Sequence, residues 1–182
     1  MLIAMTGGKG SGKDTFASVL VKEYNFVHTR FADPLKNMLR TLFREAGLDP
    51  EDYIEGPYKE APLDILGGKT PRYAMQTLGT EWRDFIDRKL WSRLWQARVE
   101  LLLEQGKPVV VTDCRFIHEA ATIRNMGGFI LRVERPHPGS RADQHVSETE
   151  MDLIEVDEVI LNMGSINQLH NKARALAREY LR

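Results

Sequence analysis

At 182 residues, 42% of them hydrophobic and 28% charged, the chain has the size and balance of one soluble globular domain with a real core. Its 25 Lys and Arg stand against 26 Asp and Glu, a net charge of −1, which excludes a protein whose main work is coating nucleic acid or an anionic membrane. One cysteine, Cys114, allows no intramolecular disulfide and suits a reducing cytoplasm, while the apolar start MLIAM is too short for a signal segment or a membrane span.

Leu2–Met5 reads as a short buried strand that ends at Gly7-Gly8. From Lys13 to Tyr24, Phe16, Val19, Leu20 and Tyr24 keep helical spacing, and Phe26–Phe31 can form a second strand. Asp33-Pro34 predicts a helix start with Asp33 at the N-cap and Pro34 at the first helical position, followed by the stripe Leu35, Met38, Leu39, Leu42 and Phe43. Residues 47–70, rich in Gly, Pro, Asp and Glu, read as a surface excursion with one short helix. Pro71–Phe85 and Leu90–Gln105 read as helices, Val109–Val111 as a buried strand ending at Thr112-Asp113, Phe116–Met126 as a helix and Phe129–Val133 as a strand. Arg135–Val146 is a polar loop. A capping-box start predicts a short helix over Ser147–Ile154, Val159–Leu161 is the last strand and Ile166–Tyr180 the closing helix.

Nearly all-apolar strands alternating with helices predict an α/β protein with a parallel sheet covered on both faces, although the order of the strands is not readable. Such a sheet places ligands at the carboxyl ends of its strands. The residues there are Gly7 onward, Asp33, Asp113 with Arg115, Arg135 and Asn162.

The strongest local signal is Gly7-Gly8-Lys9-Gly10-Ser11-Gly12-Lys13-Asp14-Thr15, set between a strand and a helix. Glycines let backbone N–H groups converge on phosphate oxygens, the helix N-terminus adds a partial positive charge, and Lys13 brings a full one. Asp14 stands where a phosphate loop ordinarily has Ser or Thr, with Thr15 one place later, so the direct ligand of a magnesium ion is left open.

Gly10–Thr15 resembles the phosphate loop of phage-type deoxynucleoside monophosphate kinases and, more distantly, that of adenylate kinases. Phe31–Lys36, Met75–Trp82, Thr112–Phe116 with Glu119, and His145–Glu148 resemble that family in the same order. The resemblance implies a P-loop kinase fold: a five-stranded parallel sheet flanked by helices in a single domain over 1–182, with an acceptor-binding helical region at 34–90 and a lid at 135–146. It implies transfer of a phosphoryl group from ATP, with Mg2+, to a deoxynucleoside monophosphate, in the cytoplasm of a bacterium or of a phage-infected host. Gly8, Gly10, Ser11, Gly12, Lys13, Asp14 and Thr15 would hold ATP, with Asn162 and Gly164 near its base. Asp33, Lys36, Arg72, Gln76, Glu119 and the Gly79–Trp82 turn, including Thr80 and Trp82, would form the acceptor pocket. Lys13, Asp113 and Arg115 would lie at the transferring phosphate, Arg135 and Arg141 in the lid, and Thr15 and Asp113 at the metal. Small nucleotides are the expected partners, with no polymer and no membrane; a homodimer is left open.

A phosphate acceptor with a second pKa of about 6 is already a nucleophile near neutral pH, so the reaction needs cations and dryness rather than a base. Lys13, Arg72, Arg115, Arg135 and Arg141 can supply the charge. Asp113 reads either as a holder of magnesium-bound water or as a cap for the helix after it, and Asp33 either as a ligand or as a cap. Trp82 is the better base-stacking tryptophan, because Trp91 and Trp95 have the spacing of a core face, and Arg124 and Arg132 read as structural. His137 and His145 in a chain with one cysteine do not read as a zinc site. A kinase of another phosphorylated metabolite, of the dephospho-coenzyme A or phosphomevalonate type, and a nucleotide-binding switch without catalysis remain as alternatives. The 47–90 insertion and the arginine-bearing loop favour a kinase over a switch.

Overall fold

The structure is a computed structural model that describes residues 1–135 and 150–181. Five parallel strands form one sheet: β1 (Leu2–Thr6), β2 (Val27–Thr29), β3 (Val109–Val111), β4 (Phe129–Glu134) and β5 (Glu158–Leu161), in the order β2-β3-β1-β4-β5. β1 is central, with Ile3 opposite Val110 on one side and Phe129 on the other. Every residue of β1 and β3 is buried, as strands covered on both faces require. From β1 the chain builds first to one side and then to the other, so the sheet's switch point, where such sheets bind ligands, lies at the carboxyl end of β1.

Two compact units divide the chain, Met1–Phe31 with Gln96–Arg182 and Ala32–Trp95. In the first, helix α1 (Lys13–Tyr24) and the closing helix, here α7 (Ile166–Tyr180), pack together against the sheet. Phe16 and Leu20 of α1 and Ala173 and Leu176 of α7 meet Ile3, Met5, Leu131 and Val133 in one core. α1 ends at Asn25, in the left-handed conformation, and the Phe26 amide donates back to Leu20 O at 3.2 Å. That closure makes β2 shorter than the expected Phe26–Phe31. α7 opens on a capping box: the Ser165 amide donates to Gln168 Oε1 at 2.8 Å and its hydroxyl accepts from the Gln168 amide at 3.3 Å. Helix α6 (Ile117–Asn125) lies between β3 and β4 in the chain.

The second unit is helical: α2 (Asp33–Glu45), α3 (Pro50–Ile54), α4 (Pro71–Phe85) and the first residues of α5 (Leu90–Glu104). Leu39, Phe43, Ile54 and Met75 form its own core. Ile54 is fully buried, so the 47–70 stretch is more than a surface excursion: it supplies one wall of that core. Two sequence expectations are corrected here. Asp33 is not the N-cap of α2; Ala32 is, and Asp33 and Pro34 both sit inside the first turn, a register that keeps the proline where its missing N–H costs nothing. Gly79–Trp82 is not a turn but the interior of α4, where Gly79 gives close room to Leu35 and its carbonyl accepts from Trp91 Nε1 at 2.9 Å. Trp91 and Trp95 are core residues, as their spacing predicts. The expected 135–146 lid with Arg141, both loop histidines and the start of the Ser147–Ile154 helix lie outside the described residues, apart from Arg135.

Candidate active site

At the end of β1 the backbone turns through Gly7, with φ +132°, where a Cβ would come within 2.2 Å of Val133 O. Gly12, with φ +106°, caps α1 without any side-chain hydrogen bond, so the first amides of the helix are left to face an anion. A Cβ at Gly12 would stand 2.6 Å from Asn162 Nδ2 and 2.9 Å from Leu169 Cδ2. Only glycine fits both places. Asn162, 8% exposed at the end of β5, donates from Nδ2 to Ser11 O at 2.9 Å, and its amide donates to Glu134 O at 2.7 Å. The last strand thereby holds the first loop.

Lys13 Nζ folds back onto its own loop, donating to Gly7 O at 2.5 Å and Gly8 O at 2.8 Å. Burial holds its pKa below the usual lysine range. Arg115 pushes the same way, and the carboxylates of Asp14 and Asp113 oppose both. Those causes place one more cation and two anions around the ammonium. Asp113 Oδ1 accepts from the Phe31 amide at 2.8 Å, fixing the β3 exit to the β2 exit. Glu119 is 8% exposed, and its Oε2 accepts from the amides of Arg115 (2.8 Å) and Phe116 (3.1 Å), shaping the loop that carries Arg115. Burial, and then the Asp113 charge, push the Glu119 carboxyl up to about 8 against those two bonds. Cys114 is buried and its thiol is pushed well above its usual range by that burial.

A cavity of about 270 Å³ opens beside the loop. Gly10, Gly12, Lys13, Asp14 and Thr15 line one wall, and Arg135, Asn162 and Gly164 line another, with Ile166 and Leu169 as apolar surface. Eight of the residues expected to bind or act on a nucleotide therefore surround one space, and Arg135 at the end of β4 is among them. Ser11, 5% exposed, lies beneath, its carbonyl taken by Asn162. Gly8 is exposed on the loop, and its carbonyl closes the turn by accepting from the Ser11 amide at 3.2 Å.

The helical unit carries the residues expected at an acceptor except Glu119, which lies on α6 in the sheet unit and holds the loop of Arg115 instead. Asp33 and Lys36 stand on α2, and Arg72, Gln76, Gly79, Thr80 and Trp82 on α4, two helices that pack together. Lys36 Nζ donates to Glu55 Oε1 at 2.5 Å, while Arg72 is bonded to Glu60. Trp82, 42% exposed, stacks on buried Trp91 with centroids 6.2 Å apart and planes 19° from parallel. Arg132 and Arg124 are structural as expected. Arg132 Nη2 donates to the carbonyls of Met151, Asp152 and Ile154, and Arg124 bonds to Asp157.

Sequence reading missed Thr112 and His28 as site residues: Thr112 is buried at the β3 exit and donates to Asp14 Oδ1 at 3.0 Å, and His28 Nε2 lies 2.9 Å from the same hydroxyl. It also missed Met151, whose thioether accepts from the Gly7 amide at 3.3 Å. Nothing local in the chain marks these contacts, which span 84 to 144 residues.

The parallel sheet with a glycine loop, lysine and helix at its switch point defines a P-loop kinase, and the comparisons agree. A dephospho-CoA kinase from Campylobacter jejuni shares the fold, with a TM-score of 0.56 at 13% identity over 98% of this chain and 96% of that one. Residues 67–173 match the profile of the deoxynucleotide monophosphate kinase family. A protein of Acanthamoeba polyphaga mimivirus, provisionally assigned as a deoxynucleotide monophosphate kinase, is 35% identical over 94% of this chain and 93% of its own. The deoxynucleotide monophosphate kinase of Enterobacteria phage T4 is 25% identical over 95% and 97%. The chain belongs to the deoxynucleotide monophosphate kinase family.

Proposed function

We propose that this protein transfers the γ-phosphoryl group of ATP to a deoxynucleoside monophosphate, giving the diphosphate and ADP. Family membership supports the reaction, and the observation that carries the mechanism is the loop itself. Lys13, the uncapped start of α1 and Arg135 surround a single cavity, with Arg115 close enough to perturb Lys13. Three phosphates brought together carry more negative charge than water-facing groups can hold in line, and this ring of donors offsets it. Lys13, now bonded to loop carbonyls, is placed to exchange them for β and γ oxygens. The Arg115 amide is held by Glu119, and in this reading its guanidinium meets the charge that develops during transfer.

The donor set fits Mg2+, which keeps several waters and binds through one or two carboxylates plus substrate phosphates. Asp14 and Thr15 line the cavity, and the charges of Asp14 and Asp113 both act on the Lys13 ammonium, so the loop has hard oxygen donors beside it. When bound, the ion neutralises charge on the phosphates. Asp33, Lys36, Arg72, Gln76, Gly79, Thr80 and Trp82 form the acceptor side in this reading. The exposed face of Trp82 offers a base a stacking surface, and Lys36 and Arg72 offer its phosphate two cations. Among the described residues no helix is long and apolar enough to cross a membrane, and we place the reaction in the cytoplasm, where small nucleotides are the partners.

The test is a coupled assay of ADP release with ATP, magnesium and a panel of ribo- and deoxyribonucleoside monophosphates. Turnover on at least one deoxynucleotide is expected. Turnover confined to another phosphorylated metabolite, or ATP binding with no acceptor-stimulated ADP release, would sink the proposal.

A further inference from the structure

The residue after Lys13 is a carboxylate where a hydroxyl is usual, and its surroundings show how it is held. Thr112, 3% exposed at the end of β3, donates its hydroxyl proton to Asp14 Oδ1 at 3.0 Å. The Thr112 hydroxyl oxygen in turn lies 2.9 Å from His28 Nε2. An ionised carboxylate only accepts, and threonine has one proton to give, so His28 must be the donor of the second bond, from a protonated Nε2. The chain of hydrogen bonds has one direction: imidazole to hydroxyl to carboxylate. Arg30 Nη2 adds an ion pair at 3.6 Å to the same Oδ1. The Thr112 bond and the nearest approach of Arg30 both fall on Oδ1. Oδ2 accepts no hydrogen bond among the described residues, on a side chain that is 73% exposed and lines the phosphate cavity.

We propose that Asp14 is the metal-side residue of this loop, presenting Oδ2 to the water shell of the phosphate-bound divalent cation, and that Thr112 and His28 are its positioning residues. This rests on the reading that the loop binds magnesium with ATP. An exposed aspartate left to itself samples several rotamers and can fold onto the neighbouring lysine. The relay removes that freedom by tying Oδ1 to two strands, β2 through His28 and β3 through Thr112. The charge then replaces what the missing hydroxyl would supply. Groups that orient a metal's partners in this way commonly matter to its binding about as much as the partners themselves.

The experiment is calorimetric titration of the full chain with ATP and no acceptor, once with magnesium and once with EDTA. The readout is the gain in ATP affinity that the metal confers. Asp14→Asn should reduce that gain about tenfold, and Thr112→Val and His28→Phe about three- to tenfold, the gain being taken within each variant as the ratio of its affinities with and without metal. Thr112→Ser and His28→Gln, which can still donate, should restore most of the gain. In the Asp14→Asn background Thr112→Val should add nothing. An unchanged gain in Asp14→Asn, or equal weakening with and without metal, overturns the metal-side role. A gain in His28→Phe as large as in the wild type overturns the relay, even if Thr112→Val does not fold. Wild-type protein that binds no ATP under either condition would overturn the nucleotide reading itself, a separate failure.

Discussion

The sheet unit and the helical unit hold their charged groups in opposite ways. Around the phosphate loop, polar side chains are anchored to main chain: buried Asn162 on Ser11 O, buried Glu119 on two amides, half-buried Asp113 on the Phe31 amide. In the helical unit, Lys36, Arg40 and Arg72 rest on the exposed carboxylates of Glu55, Glu51 and Glu60. Breaking a buried anchor strands a polar group at a cost of about 1–3 kcal/mol, whereas an exposed ion pair contributes about 0–1 kcal/mol. The first unit is therefore set before ligand arrives, as stabilisation of a transition state demands. The second holds its cations on anions that an incoming phosphate can replace at little cost. One side is built for rate and the other for exchange.

The comparison breaks most sharply at Lys13. Lys13→Ala should lower kcat at least about 10³-fold while the far-ultraviolet spectrum and melting temperature stay close to wild type, since the side chain supports phosphate charge and not the core. Arg115→Ala should lower kcat about 10²-fold and change the ATP KM less than threefold, the signature of a contact made in the transition state; an unchanged kcat removes Arg115 from the mechanism. Lys36→Ala should raise the acceptor KM about tenfold, near the ~1.5 kcal/mol of a charge-assisted hydrogen bond, and leave the ATP KM alone. In the wild type that acceptor KM should climb with salt, because the carboxylates that share the helical unit's cations are exposed. The last prediction concerns stability, at Glu119. Its carboxyl, ordinarily near 4.5, stands at about 8 in the folded chain, so the fold holds that proton more tightly than the unfolded chain does. Stability then declines as pH rises from about 4.5 towards about 8 and levels off above. Glu119→Gln should flatten that decline in urea melts taken across the window, and an identical slope in the variant would assign the dependence elsewhere.

The chain announces the parts of this site that are local and conceals those that depend on pairing across the sheet. Gly7–Thr15 is legible because glycine, lysine and helix start are consecutive, and each has a physical job there. α4 and α7 are legible to the residue because Thr70-Pro71 and Ser165 mark their starts. Asp33 misleads because aspartate before proline satisfies a cap and a first turn equally well, and tertiary packing chose the second. The strand order β2-β3-β1-β4-β5 could not be read, since four nearly identical apolar runs carry no label for their neighbours. His28 and Thr112 were invisible for the same reason. A lone histidine in a three-residue strand acquires meaning only when β3 is laid beside it.

Asn162 has a consequence for how the molecule comes into being. The Gly7–Thr15 loop takes its shape from a side chain 151 positions later, just past the strand that completes the sheet. A nascent chain emerging from the ribosome therefore carries the glycine-lysine stretch long before anything can brace it, and such distant pairings are late events in folding. Competence to grip a nucleotide should arise only once β5 has been made and paired, so that ATP recognises chains with a finished sheet and ignores fragments that stop short of it.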